Sequence, residues 1–187
     1  MDLAVEPDSI HSVIGPNGAG KTTLFNCLSG VYLPTAGRIT FRDEDITLLP
    51  DHAVTARGIA RTFQNIRLFS SMSVLENVLV GTHRLGRAGM LAALGKGKAL
   101  KAEEDSLEAK ARECLDFVGL AARASAPARS LPYGEQRRLE IARALASDPG
   151  LLLLDEPAAG LNPQEGRALV DLIRRIRSRG VTVCLIE

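Results

Sequence analysis

Gly15-Pro16-Asn17-Gly18-Ala19-Gly20-Lys21-Thr22, running on into Thr23-Leu24-Phe25, satisfies the pattern G-x-x-x-x-G-K-[ST] at every fixed position. The flanks agree with it. Upstream, Ile10 to Ile14 reads as a short buried strand, with Ile10, Val13 and Ile14 apolar. Downstream, Leu24, Phe25 and Leu28 fall on one face of a predicted helix that Gly30 would stop. Strand, glycine loop and helix together form the setting in which such a loop binds phosphate. Gly15, Gly18 and Gly20 let the backbone curl so that successive N–H groups point inward at phosphate oxygens, which makes Gly15, Pro16, Asn17, Gly18, Ala19 and Gly20 the candidate phosphate cradle. The helix beginning near Lys21 adds its positive end. Lys21 is expected to reach the β- and γ-phosphates, Thr22 to ligate Mg2+ through its hydroxyl, and Thr23 to contact the α-phosphate. A loop of this kind specifies a nucleoside triphosphate site and no more, so the rest of the chain must supply the class.

The 187 residues suffice for one α/β domain with a sizeable core and a small subdomain. A formal net charge of +1 gives no electrostatic case for a nucleic-acid partner, and the absence of Trp weakens any base-stacking surface. No apolar run approaches the roughly 20 residues a membrane helix needs, and Met1 to Pro7 lacks the basic region and apolar core of a signal peptide. A membrane role therefore has to come through a partner. Cys27, Cys114 and Cys184, odd in number and far apart, suit reduced thiols in a cytosolic protein, with Cys184 packed in a core strand. His11, His52 and His83 have no neighbours at metal-ligand spacing.

Along the chain, Arg38 to Phe41 alternates like a strand after the turn Pro34–Gly37, and Ile59 to Phe63 reads as another strand running into Gln64. Ser73-Val74-Leu75-Glu76 is a capping box opening a helix with Val74, Leu75, Val78 and Leu79 on its apolar side. Arg84 to Lys101 reads as a solvated linker, with a basic partner-contact segment as the alternative. Lys101 to Val118 is predicted to be a long amphipathic helix burying Leu107, Ala111, Leu115 and Val118. The stretch Ser130 to Arg138 leads into a helix through Ala146 that buries Leu139, Ala142 and Leu145 and turns Arg137, Arg138 and Arg143 elsewhere. Four leucines, Leu151 to Leu154, then form a buried strand ending in the two carboxylates Asp155 and Glu156; with the glycine loop upstream, Asp155 is read as magnesium-linked. Asn162 as N-cap, Pro163 at N1 and Glu165 at N3 open a helix with Leu169, Leu172, Ile173 and Ile176 as its buried stripe. Gly180 ends it, and Val181 to Ile186 is a final apolar strand.

Taken in this order, the glycine loop, Gln64, Leu131–Arg138, Leu151–Glu156 and Ala159–Asn162 resemble an ATP-binding cassette domain over essentially the whole chain. Leu131-Pro132-Tyr133-Gly134-Glu135 is similar to that family's signature sequence, commonly Leu-Ser-Gly-Gly-Gln, with Pro132, Tyr133 and Glu135 as departures. Pro132 has neither a hydroxyl nor an N–H to offer a phosphate. The wording of Leu131 to Arg143, of Asp155 to Pro163 and of Arg61 to Phe69 resembles the ATP-binding subunits of branched-chain amino-acid importers. Lipopolysaccharide-transport ATPases are the nearest competing resemblance.

The resemblance implies an α/β P-loop NTPase fold, with a mainly parallel core at about 1–68 and 147–187 and an inserted α-helical subdomain at about 69–146. It implies ATP and Mg2+ as ligands. Glu156 would orient and deprotonate the attacking water, Asp155 and Thr22 would hold Mg2+, and Gln64 would touch both metal and water. Lys21 would neutralise the phosphates. Leu131, Tyr133, Gly134 and Glu135 would cover ATP held by a second cassette subunit, identical or related, and Ala159, Gly160, Leu161 and Asn162 would run along that interface. Membrane-spanning permease subunits, and indirectly a solute-binding protein, would complete an importer on the inner face of the cell membrane, with no nucleic-acid partner. The family's adenine-stacking aromatic upstream of Gly15 and its switch histidine after Glu187 have no counterpart here. That suggests a truncated cassette, which leaves open a non-transport cassette ATPase or a catalytically weak nucleotide-binding fragment.

Overall fold

A computed structural model describes residues 2–85 and 98–187. It separates into two compact units, one of residues 1–64 with 149–187 and one of residues 65–148. No helix among the described residues is long and apolar enough to cross a membrane.

The first unit is built on a four-stranded, all-parallel sheet in the order β1-β6-β5-β4: Ile10–Val13, Thr182–Ile186, Leu151–Asp155 and Ile59–Arg61. Register places Asp155 beside Ile186 and Leu153 beside Cys184. The central strands β5 and β6 read as nearly unbroken apolar runs because both of their faces are covered. One face meets helix α1 (Lys21–Leu28) and helix α2 (Asp51–Ala56) through a cluster of Phe25, Ile46, Val54, Ile59, Leu153, Cys184 and Ile186. Cys184 is 1% exposed, as its place in an apolar run predicts. Helix α6 (Pro163–Ser178) buries Leu169, Leu172, Ile173 and Ile176, with Asn162 capping Gln164 N and Glu165 N and the Glu165 carboxylate returning to Asn162 N.

Three expectations are corrected in this unit. The Ile10–Ile14 run is buried only in part: Val13 packs against the core cluster, Ile10 is 41% exposed on the other side of the edge strand β1, and Ile14, 79% exposed, lies beyond that strand's end. The Arg38–Phe41 strand shrinks to β2 (Thr40–Phe41), which pairs antiparallel with β3 (Glu44–Asp45). The tight turn between them puts both Arg42 and Asp43 at positive φ (51° and 63°), the backbone twist that short hairpins favour. The strand read as Ile59–Phe63 ends at Arg61, where the chain leaves the sheet to reach Gln64.

The second unit packs three helices pairwise: α3 (Val74–Thr82), α4 (Lys98–Phe117) and α5 (Tyr133–Leu145). The Ser73–Glu76 capping box forms at the start of α3 as predicted. Helix α4 begins at Lys98, earlier than the expected Lys101. Residues 86–97, most of the stretch read as linker, lie outside the described residues. Helix α3 approaches α5 closely at Gly81, where a Cβ would stand 2.0 Å from the Arg143 carbonyl oxygen.

Arg137 is the main correction in this unit. The side chain expected to face away from the core is 1% exposed and ion-paired with Glu140, also 1% exposed, at 3.0 Å. A guanidinium with an acid three residues on can be taken inside with its charge matched, which helix periodicity alone does not reveal. Asn77 is fully buried as well. Its side chain donates to the carbonyls of Phe69 and Ser73 and accepts from Phe69 N, which clamps the turn leading into α3.

Candidate functional site

In a parallel sheet all the strand ends of one kind lie along one edge, and ligands of open α/β folds bind at the C-terminal edge. In the first unit, β1 there runs out to the glycine loop, β4 leads to Gln64, and β5 ends in Asp155 with Glu156 next.

The loop is exposed and its backbone has the curl that the sequence predicts. Gly18 and Gly20 sit at φ 84° and 86°, and Gly20 is the N-cap residue of α1. A Cβ at either position would meet no atom within 4 Å, so the left-handed backbone is what demands glycine there. Pro16 O accepts from Ala19 N at 3.1 Å, and Gly20 O accepts from Leu24 N at 2.8 Å as α1 begins. Lys21 Nζ donates to the carbonyls of Gly15 at 2.5 Å and Pro16 at 3.3 Å, which lays the ammonium across the loop opening. Thr22 and Thr23 are exposed at the first turn of α1. Asn17 and Ala19 are equally exposed, and no acidic residue stands in that turn to repel an anion.

The carboxylates come next. Asp155 is 1% exposed at the last position of β5. Its Oδ2 accepts from Arg61 Nη2 at 2.7 Å, while its Oδ1 is buried with no hydrogen-bond partner among the described residues. A buried carboxylate oxygen left over in this way is costly unless something polar reaches it. Glu156 holds a left-handed backbone, φ 44°, fixed by its N–H donating to Ile186 O at 3.0 Å and its carbonyl accepting from Ala159 N at 3.2 Å. Backbone of this kind in a non-glycine residue costs energy and concentrates at functional sites. Gln64 Nε2 donates to Glu156 Oε2 at 2.9 Å, across 92 residues of sequence. Burial pushes the carboxyl of Glu187 upward, and the nearby Glu156 charge adds to the effect against a hydrogen bond from Ala158 N. Beyond Glu156 the chain turns outward, with Ala159, Gly160 and Asn162 exposed.

Magnesium is implied by this kind of site. A hard cation wants oxygen ligands, usually few from protein and the rest from phosphate and water. The Thr22 hydroxyl, the Gln64 side chain and the uncommitted Asp155 Oδ1 suit that demand. Among the described residues no group of three or more His, Cys, Asp or Glu stands together at metal-binding distance.

The resembling signature stretch lies in the second unit. Leu131 is buried and its carbonyl accepts from Gln136 Nε2 at 2.8 Å. Pro132 is the N-cap residue of α5 and supplies no side-chain cap. Gly134 is buried, so the surface there presents Pro132 and Tyr133, the latter 45% exposed. Glu135 stands in the first turn within 3.7 Å of Arg123 and 3.9 Å of Arg138. Tyr133 Oη accepts from Arg137 Nη2 at 3.2 Å, which ties the exposed ring to the buried ion pair.

Sequence reasoning overlooked Arg61, Asn26 and Ser29. Arg61 Nη1 donates to Asn26 Oδ1 at 2.7 Å and to Ser29 Oγ at 3.0 Å while Nη2 holds Asp155. The available signal was a cation placed directly after the buried Ile59-Ala60 pair, with nowhere to go but another element.

A glycine loop opening a helix, set beside a carboxylate pair at the C-terminal edge of a parallel sheet, defines a P-loop nucleotide-binding domain of the α/β class. Comparison with known proteins makes this more specific. The profile of the ABC transporter family matches residues 1–159, and the chain belongs to that family. It is 49% identical over its whole length to a high-affinity branched-chain amino acid transport ATP-binding protein of Pseudomonas aeruginosa, BraF, and 45% identical to LivG of Escherichia coli K12. It covers 74% of each of those proteins. Among solved structures it is similar to a nucleotide-free ATP-binding cassette from an ABC transporter, with TM-score 0.84 and 31% identity, covering 99% of this chain and 72% of that one. The ADP conformation of the cassette MJ1267 follows at TM-score 0.83 and 30% identity, with the same coverage.

Proposed function

We propose that this chain is the ATP-binding and ATP-hydrolysing subunit of an ABC importer for branched-chain amino acids. The observation that carries it is the meeting of Gln64 and Glu156 at 2.9 Å on the sheet edge that also carries the glycine loop and Asp155. The similarity in full length to branched-chain transport ATP-binding proteins supports the solute class.

The chemistry follows from the residues. ATP phosphates enter the loop, where the N–H groups of α1's first turn and Lys21 meet them, and Lys21 exchanges its bonds to Gly15 O and Pro16 O for phosphate oxygens. When bound, Mg2+ neutralises charge on the transferring phosphoryl group; Thr22, Gln64 and Asp155 would hold it. Gln64 occupies Oε2 of Glu156 and leaves Oε1 to accept a proton from a water aimed at the γ-phosphate. Catalysis of this type is mainly positioning and electrostatics, so the fixed backbone of Glu156 matters as much as its acidity.

In the same reading, the first unit is the nucleotide core and the second is the helical subdomain. The start of α5, with Leu131, Tyr133, Gly134 and Glu135, faces ATP on a partner cassette, and Ala159 to Asn162 lie at that dimer interface. The partner is an identical or related subunit, and permease subunits hold the pair at the inner face of the membrane, with a solute-binding protein acting indirectly.

The test compares wild type and Glu156→Gln for binding of a fluorescent ATP analogue and for steady-state ATP hydrolysis. The variant should bind the analogue as wild type does and turn over about 10²–10⁴-fold more slowly. Undiminished turnover removes Glu156 from its role. Loss of leucine, isoleucine and valine uptake on deleting the gene, restored by wild type and not by the variant, tests the solute class.

A further inference from the structure

The nucleotide reading leaves Arg61 unassigned, although its side chain is held by three acceptors and two rings. Its side chain is 6% exposed and that of Asp155 is 2% exposed, so the pair is nearly shut off from water. Burying an ion pair brings little net stability, because desolvation offsets the attraction. The geometry points to another use. Nη2 takes Asp155 Oδ2 at 2.7 Å, while Nη1 takes Asn26 Oδ1 at 2.7 Å and Ser29 Oγ at 3.0 Å. The planar group also lies over the rings of Phe63 and Phe25, at 5.2 and 5.7 Å from their centroids. Three acceptors and two rings leave the guanidinium one orientation.

The three anchors belong to two elements that must agree. Asn26 lies four residues, and Ser29 seven residues, beyond Thr22, so all three share one face of the helix that opens at the phosphate loop. Asp155 ends the strand that delivers the carboxylates. With Oδ2 committed to Arg61, Asp155 has only Oδ1 left to offer, and that oxygen has no partner among the described residues.

We propose that Arg61 is a positioning residue for the metal–nucleotide site. It locks the Thr22 face of α1 to Asp155, and so fixes the spacing between the two protein oxygens that meet a divalent cation or its water. The inference rests on the nucleotide-site reading above. A lysine can serve in its place only in part, because one ammonium cannot span Asp155 and both α1 acceptors in a plane.

The experiment uses the full chain as wild type, Arg61→Met, Arg61→Lys, Asn26→Ala and Ser29→Ala. Three quantities are read: binding of a fluorescent ATP analogue in EDTA, Mn2+ affinity of the nucleotide complex from the loss of the free-Mn2+ EPR signal, and the Mg2+ concentration for half-maximal hydrolysis. Residues that orient metal ligands typically change affinity by 10–100-fold. Arg61→Met should therefore weaken Mn2+ binding by about tenfold or more and raise the Mg2+ requirement in parallel, with EDTA binding of the analogue unchanged. Arg61→Lys should recover part of the loss. Should Arg61→Met not fold, Asn26→Ala and Ser29→Ala carry the test, since each removes one rear anchor and leaves the Arg61–Asp155 pair in place. Both should weaken Mn2+ binding. Unchanged Mn2+ affinity in every folded variant, with wild type binding the analogue normally, overturns the role of Arg61 alone. Failure of wild type to bind the analogue overturns the nucleotide-site reading and this inference with it.

Discussion

Glu140→Ala should be among the most destabilising single changes in the helical unit. Glu140 and Arg137 are each 1% exposed, with Nη1 and Oε2 3.0 Å apart, and Glu140 Oε1 also accepts from Arg67 N at 3.4 Å. Truncating the carboxylate leaves the buried guanidinium facing a cavity without that partner, a loss of about 3–5 kcal/mol for a buried pair broken on one side. For a chain of this size, 1 kcal/mol moves the melting temperature by roughly 2–4 °C, so the expected drop is about 6–20 °C. Replacing both partners with apolar residues of similar volume, Arg137→Met with Glu140→Leu, should be far milder, because no charge is stranded. Thermal unfolding followed by circular dichroism across the four corners of that cycle measures the coupling directly. A melting temperature for Glu140→Ala within about 2 °C of wild type, or a double variant as damaged as the sum of its singles, would refute this account of the pair.

Other expectations follow from single contacts. Lys21→Ala removes the loop's mobile cation, and ATP affinity measured by calorimetry should fall about 10–100-fold; unchanged affinity contradicts the assignment of the loop. Gly81→Ala would put a Cβ 2.0 Å from the Arg143 carbonyl oxygen; pushing α3 away from α5 should lower stability by about 1–3 kcal/mol in chemical denaturation. The Glu76 carboxylate accepts from Ser73 N at 2.7 Å, and the hydrogen bonds of the capping box, backbone first, hold its pKa below the usual carboxylate value. A lowered folded pKa means the box contributes stability above the unfolded value and loses it as pH falls through the folded one. Glu76→Gln should lower stability at neutral pH, where the carboxylate contributes, and flatten the acid limb so that the two stability–pH profiles converge at low pH; an equally steep acid limb in the variant counts against the linkage.

Features that depend on a few neighbouring residues could be read directly from the chain. The capping boxes at Ser73 and Asn162 form as expected, since donor and acceptor stand three residues apart and helix geometry alone brings them together. The buried stripe of α6 follows from its helical period, and the apolar runs of β5 and β6 follow from lying inside a parallel sheet. Reading failed where the outcome depended on which element came to lie alongside. Ile10 and Ile14 look like core residues, but Ile10 falls on the exposed side of β1 and Ile14 beyond its end. Arg137 looks like a surface residue, but its acid partner travels inside with it.

The glycine loop is complete within Gly15 to Thr23 because its demands are local: positive φ at Gly18 and Gly20, a free helix start, and a cation one step along. Its phosphate chemistry and its family wording are therefore properties of the sequence itself. The pairing of Gln64 with Glu156 across 92 residues, and of Arg61 with Asp155 across 94, is set by strand order instead. Only when β4, β5 and β6 align in parallel do these side chains reach hydrogen-bonding distance, and no periodicity or spacing along the chain encodes that alignment. The loop is legible in its own residues; the sheet decides which carboxylate oxygen beside it is left uncommitted.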